Sequence, residues 1–153
     1  MHLSTNGLSS PDSARCVRLF MKAGIVGLPN VGKSTLMNKL VGENLSIITA
    51  KAQTTQHRIM GILNADDFQI VYSDTPGLLE PKYELQKTMM SFVNVSLEDA
   101  DVVLLVADLY EKIDEELLSK LKKIEVPVVL IINKSDLAKG TQLEDKINYW
   151  KEN

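Results

Sequence analysis

Apolar residues along the chain fall into short, nearly unbroken runs separated by stretches of helical period. The runs "VRLFMKAGIV" (17–26), "DVVLLVAD" (101–108) and "VPVVLIINK" (126–134) lack the alternation of a half-solvated strand, and read as strands buried on both faces. "RIMGILN" (58–64) and "FQIVYSD" (68–74) read as two more strands, joined by a short polar connection that fits a hairpin. Between them the period changes. "KSTLMNKLVG" sets Leu36, Met37, Leu40 and Val41 on one helical face and ends on Gly42, a residue suited to stopping a helix. A second helix is expected over 84–96, an amphipathic one over "DEELLSKLKKI" (114–124), and another from "TQLEDKINYWKEN" at the end. Strands alternating with helices predict a three-layer α/β fold, a mostly parallel sheet with helices on both faces.

Composition narrows the function classes without choosing one. With 153 residues, 44% of them hydrophobic, the chain can bury one core and not two. Its net charge of -3 argues against a general nucleic-acid-binding surface, and Lys120, Lys122 and Lys123 read as the solvated face of a helix. No run approaches the ~20 apolar residues of a membrane span, and residues 1–20 lack the apolar centre of a signal peptide, so a cytoplasmic location is expected. Those first residues are expected to form a disordered extension. Cys16, the single cysteine, has no internal partner.

Chemistry concentrates where strands end. In folds of this class ligands sit at the carboxyl ends of the strands. The first such end carries "GLPNVGKST", Gly-x-x-x-x-Gly-Lys-Ser from Gly27 to Ser34 with Thr35 next, between a predicted strand and a predicted helix. Gly27 and Gly32 free the backbone to wrap an anion, and the NH groups of the loop, Asn30 and Val31 included, can converge on a phosphate. Lys33 adds positive charge, Ser34 offers a hydroxyl to magnesium, and the helix N-terminus adds to the same field. The second end carries "DTPG": Asp74 can hold magnesium through water and the NH of Gly77 can reach a terminal phosphate. At the third, "NKSD", Asp136 can accept two hydrogen bonds from guanine that adenine does not offer, with Asn133 and Lys134 bracing the base and the loop. Each motif alone is a common turn or cap; in order, each after a strand, they point to guanine-nucleotide binding. Met89 and Met90 read as core fillers; His57 could touch a phosphate but reads better as a solvent-facing histidine, and Asp108 could approach the nucleotide but reads better as a helix cap.

With those motifs the chain resembles the translation-factor class of GTPases. "SIITAKAQTTQHRIMGIL" and "YSDTPGLLEPKYELQKTMM" are similar to the Era family specifically, from about Met21 onward. The resemblance implies a truncated Era-type GTPase domain over 21–153, binding GTP or GDP with Mg2+. It implies that Lys33 and Gly77 act on the terminal phosphates, that Ser34 and Thr55 ligate magnesium, with Thr54 adjacent, and that Asp74 holds it through water. For the intact protein it implies a monomer that acts on the small ribosomal subunit and its 16S rRNA during assembly, with peripheral membrane association.

The chain also departs from the family. Gln56 stands where members generally carry arginine, so a contact by that charge is not expected here. By the resemblance, the last strand, its Ser-Ala base loop, the closing helix and the KH RNA-binding domain are expected to be missing here, which would leave "VPVVLII" as a sheet edge and favour association. Leu78 follows Gly77 where many switch GTPases place a water-orienting glutamine, so slow hydrolysis is expected. Two roles stay open for Asn30: shaping the turn, or helping a potassium ion replace an arginine finger beside the phosphates. Turnover is one reading of the chain; a nucleotide-binding module with little turnover is the other.

Overall fold

The protein was analysed as a computed structural model, which describes residues 19–46, 57–78, 82, 84–110, 119 and 121–152. Five strands form one sheet: β1 (Leu19–Val26), β2 (Ile59–Asn64), β3 (Phe68–Asp74), β4 (Val102–Asp108) and β5 (Val128–Asn133), in the order β2-β3-β1-β4-β5. β1 runs parallel to both β3 and β4, β4 parallel to β5, and only β2 is antiparallel, against β3. The hairpin and the mostly parallel sheet are those the apolar runs predict.

Alternate residues of the strands feed the two apolar layers that cover the faces of this one sheet. Ala23 and Ile25 of β1 join Val31, Met37, Tyr72 and Val106 beneath helix α1 (Lys33–Val41). Val26 joins Val93, Ala100, Val103 and Leu105 beneath helix α2 (Glu84–Glu98). On α2 the buried positions Gln86, Met89, Val93 and Ser96 recur at helical spacing. The two polar members are satisfied: Gln86 accepts the Lys82 N–H at 2.7 Å, and the Ser96 hydroxyl donates to that of Ser73 at 2.9 Å. Met89 is core, as expected, and Met90 packs at its border. Gly42, in the left-handed conformation, ends α1 and donates its N–H to the Asn38 carbonyl.

The apolar run of β5, taken by itself, suggests burial on both faces, but the expectation that "VPVVLII" forms a sheet edge is the one met: Val128 and Val129 are 42% and 48% exposed. Its only strand neighbour among the described residues is β4, so one edge and part of each face stay open. Helix α3 (Gln142–Glu152) contributes no buried residue, although Trp150 packs against the α2-side core. Of the helix expected over 114–124, Ser119 and Leu121 are helical, and most of the remainder lies outside the described residues.

β1 is the pivot of this arrangement. Its sheet neighbours β3 and β4 lie on opposite sides, so the connection after β1 leads to one side and the one after β3 crosses to the other, opening a crevice at their carboxyl ends. Parallel pairing brings the loops after β1, β3, β4 and β5 to the same rim.

Candidate functional site

The loop after β1 is bound from three directions. Asn30 and Gly32 both take positive φ, 62° and 98°, and bend the chain so that successive NH groups face inward. α1 then starts at Lys33 with Gly32 as its N-cap and no side-chain cap, which leaves its first NH groups for a ligand. Glycine at 32 is required twice over: besides its φ, a Cβ there would stand 2.1 Å from Asn133 Nδ2. Asn133 uses that nitrogen to donate to the Val31 carbonyl at 2.8 Å, so the end of β5 clamps the loop across 102 residues of chain. From β3, Leu78 N–H donates to the Gly27 carbonyl at 2.9 Å, and Gly77 packs on Pro29 so closely that a Cβ would meet it at 2.7 Å.

Inside this cradle lie the charged groups. Lys33, only 6% exposed, donates from its ammonium to the Leu28 carbonyl at 2.8 Å. The Ser34 hydroxyl donates to Asp74 Oδ2 at 2.6 Å, joining the first turn of α1 to the end of β3. Asp74 and Thr75 are fully buried, and Thr75 donates to the Ile25 carbonyl at 2.7 Å. A hydroxyl and a carboxylate side by side are hard oxygen donors of the kind magnesium takes, with phosphates and water completing its shell. The residues therefore fit that ion: Ser34 would bind it directly and Asp74 through water. Thr35 is exposed on α1, and Thr54 and Thr55 lie outside the described residues.

A groove of about 410 Å³ continues from the cradle, lined by Pro29, Asn30, Asp108, Tyr110, Lys134 and Leu137. Lys134, in the left-handed conformation at φ 57°, reaches across β4 to Asp108 Oδ2 at 2.5 Å. Burial alone would raise the Asp108 carboxyl, but hydrogen bonds from the Lys134 side chain and the Tyr110 N–H, with the charges of Lys134 and Lys146, hold it below the usual carboxylate range. Asp108 lines this groove, a position from which it could approach a nucleotide, and its Oδ1 accepts the Tyr110 N–H at 3.0 Å as a cap would; the segment it was expected to cap lies outside the described residues. Asp136 lies exposed in the 3-10 turn Ser135–Leu137, two residues beyond Lys134. Sequence reasoning passed over Tyr110. Its only signal was position, two residues beyond the end of β4 on the ligand-bearing rim.

His57 is exposed, as expected, with its ring edge-on to Phe92 at 5.5 Å between centroids. Arg58 beside it links three elements, donating to the Ser73 hydroxyl at 2.7 Å and to Asp99 at 2.8 Å.

Phosphate cradle, acidic partner of the helix start and base-side groove share one rim of a doubly wound sheet, and that is the architecture of a P-loop GTPase domain. Residues 22–134 match the family model of the 50S ribosome-binding GTPases. GTPase Era of Vibrio parahaemolyticus is 46% identical over 132 residues, covering 84% of this chain and 40% of its own. The chloroplastic GTPase ERA1 of Zea mays is 45% identical over 132 residues, covering 82% and 32%. A crystal structure of Era, in complex with MgGDPNP and a segment of 16S ribosomal RNA, superposes with a TM-score of 0.78 at 39% identity over 87% of this chain and 48% of that one. The chain belongs to the 50S ribosome-binding GTPase family and, within it, to the Era GTPases. It spans a third to a half of the length of the relatives it matches. Among the described residues no helix is long and apolar enough to cross a membrane.

Proposed function

We propose that this chain binds GTP and GDP with Mg2+ and hydrolyses GTP, as the switch domain of a protein that acts on 16S rRNA in small-subunit assembly. The observation that carries the reading is the clamp from Asn133 to the Val31 carbonyl, which locks the base-reading turn and the phosphate loop into one rigid rim. Lys33 and the loop NH groups hold the terminal phosphates, Ser34 and Asp74 hold the ion, and Asp136 reads guanine. Magnesium supplies charge neutralisation of the phosphates when bound. Support for the ribosomal role comes from the Era crystal structure that contains both MgGDPNP and 16S rRNA. The existence of a chloroplastic relative leaves the compartment to be assigned by experiment, with the cytoplasm our proposal.

Hydrolysis follows from electrostatics rather than from a water-orienting side chain. Leu78 packs against the α2-side core and has no group to position water. Turnover by the domain alone should therefore be slow, on the order of 10⁻³ per second or below, the scale of unassisted GTPases. Asn30 lines the groove beside the phosphate loop, where its side chain would help hold a potassium ion. Its left-handed φ of 62° supports the other role, shaping the turn. Single-turnover phosphate release should be measured in potassium and in sodium at equal ionic strength, for the natural sequence and for Asn30→Ala. Faster release in potassium, lost in the variant, is expected. Guanine-specific binding with no release in either salt would leave the binding-module reading in its place.

A further inference from the structure

Tyr110 joins the groove by its ring and the base-reading turn by its hydroxyl. The residue is 56% exposed, an environment in which a phenol would ordinarily bond to water. Instead its O–H donates to the Leu137 carbonyl at 2.7 Å, while Gln142 Oε1 stands 3.3 Å away. A phenol has one proton, so the shorter contact takes it. Leu137 closes the turn that contains Asp136, and that turn is otherwise held by its own main chain, Leu137 N–H to the Lys134 carbonyl at 3.0 Å and Ala138 N–H to the Ser135 carbonyl at 3.1 Å. None of its residues is buried. Packing therefore does little to hold the turn in place.

The same residue also reaches the other flank of Asp136. The Tyr110 N–H donates to Asp108 Oδ1 at 3.0 Å, and the second oxygen of that carboxylate receives Lys134. Through one side chain and one main-chain group, the loop after β4 is tied to residues on both sides of Asp136.

We propose that Tyr110 is a positioning residue for base selection, holding the 135–137 turn so that Asp136 meets the guanine edge. The proposal rests on Asp136 reading guanine, as set out above. Tyr110→Phe keeps the ring and the main-chain bond to Asp108 and deletes only the hydroxyl. It leaves the phosphate cradle untouched, so the loss should fall on nucleotides that Asp136 recognises and spare those it does not.

The test is competition binding of GDP and ADP to the natural chain and to Tyr110→Phe, with the melting temperature of each unliganded protein alongside. GDP affinity should fall about threefold to tenfold, the worth of one neutral hydrogen bond, with ADP affinity and unliganded melting unchanged. Unchanged GDP affinity, or equal losses for GDP and ADP, would overturn the positioning role while leaving guanine reading intact. A natural chain that fails to prefer GDP would remove both.

Discussion

The two ends of the groove are built on opposite plans. At the phosphate end Asp74 and Thr75 are fully buried, Lys33 nearly so, and Met37 of α1 lies directly in the core with no exposed surface. Asp74 and Thr75 are bonded to α1 and β1, and Lys33 to the Leu28 carbonyl of the loop itself. At the base end the turn 135–137 is exposed, Leu137 is 50% exposed, and the strand that delivers it is a sheet edge. Hydrogen bonds from Tyr110 and Asn133, rather than packing, fix its place. The contrast assigns the two tasks to different physics. Gripping a phosphate requires converging NH groups that cannot relax, and a core supplies that rigidity. Reading a base requires one carboxylate at the right spot, which a few polar ties can hold.

If the contrast is correct, the largest effects lie at the phosphate end. Gly32→Val would force a side chain onto Asn133 in a left-handed backbone, and should cost about 2–6 kcal/mol of stability by strain and overpacking together. GDP affinity should drop with it, by more than ~100-fold, since the loop NH groups would no longer converge. Denaturant titration and calorimetry check both, and a stable variant with normal GDP affinity would break the comparison. A paired truncation is the next test. Met37→Ala, beneath the phosphate loop, should cost about 2–5 kcal/mol, whereas Leu137→Ala at the base end should stay within about 0.5 kcal/mol. Similar costs for the two would erase the distinction.

Acid sharpens the picture on a smaller scale. Asp108 is held below the usual carboxylate range within its Lys134 and Tyr110 contacts, and Asp99 is lowered chiefly by its hydrogen bond from Arg58. In both cases the folded value lies below the unfolded one, so unfolding takes up protons as the pH drops. Their contribution is complete above the ordinary carboxylate range and drains away as pH falls from there through the lowered folded values. Asp108→Asn should flatten this acid limb of the stability curve and leave stability near neutral pH little dependent on pH. An acid limb unchanged in the variant would show that the Lys134 pair carries no linkage.

How much of this was legible in the sequence divides along the same line. Gly27 to Ser34, Asp74 and Asn133 could be read directly, because phosphate binding demands particular residue types at fixed spacing after strands. The α1 face was legible too, since Leu36, Met37, Leu40 and Val41 show helical period and all pack on that core. β5 was legible as a strand and, through the family resemblance, as a sheet edge, but not as an edge from its own run, because "VVLIIN" is equally apolar whether or not a neighbour covers it; burial is a property of the sheet, not of the strand. Asp108 could be placed at a strand end near the ligand, but its partner could not be read, and Tyr110 was not singled out at all. Their partners Lys134 and Leu137 lie more than 25 residues away, and no local pattern encodes an ion pair or hydrogen bond across the rim.

The central claim is that the exposed turn selects guanine through Asp136 while the buried cradle holds the phosphates regardless of the base. The most direct measurement is the affinity of GDP and of xanthosine diphosphate for the natural chain and for Asp136→Asn. Guanine presents two donors to a carboxylate, and a mismatch that leaves that carboxylate unpaired once the base covers it costs about 2–4 kcal/mol, or roughly 30-fold to 1000-fold in affinity. The natural chain should prefer GDP by that factor, and Asp136→Asn should reverse the preference while still binding one of the two nucleotides tightly. Equal affinities in the natural chain, or a variant that loses both nucleotides alike, would contradict the account.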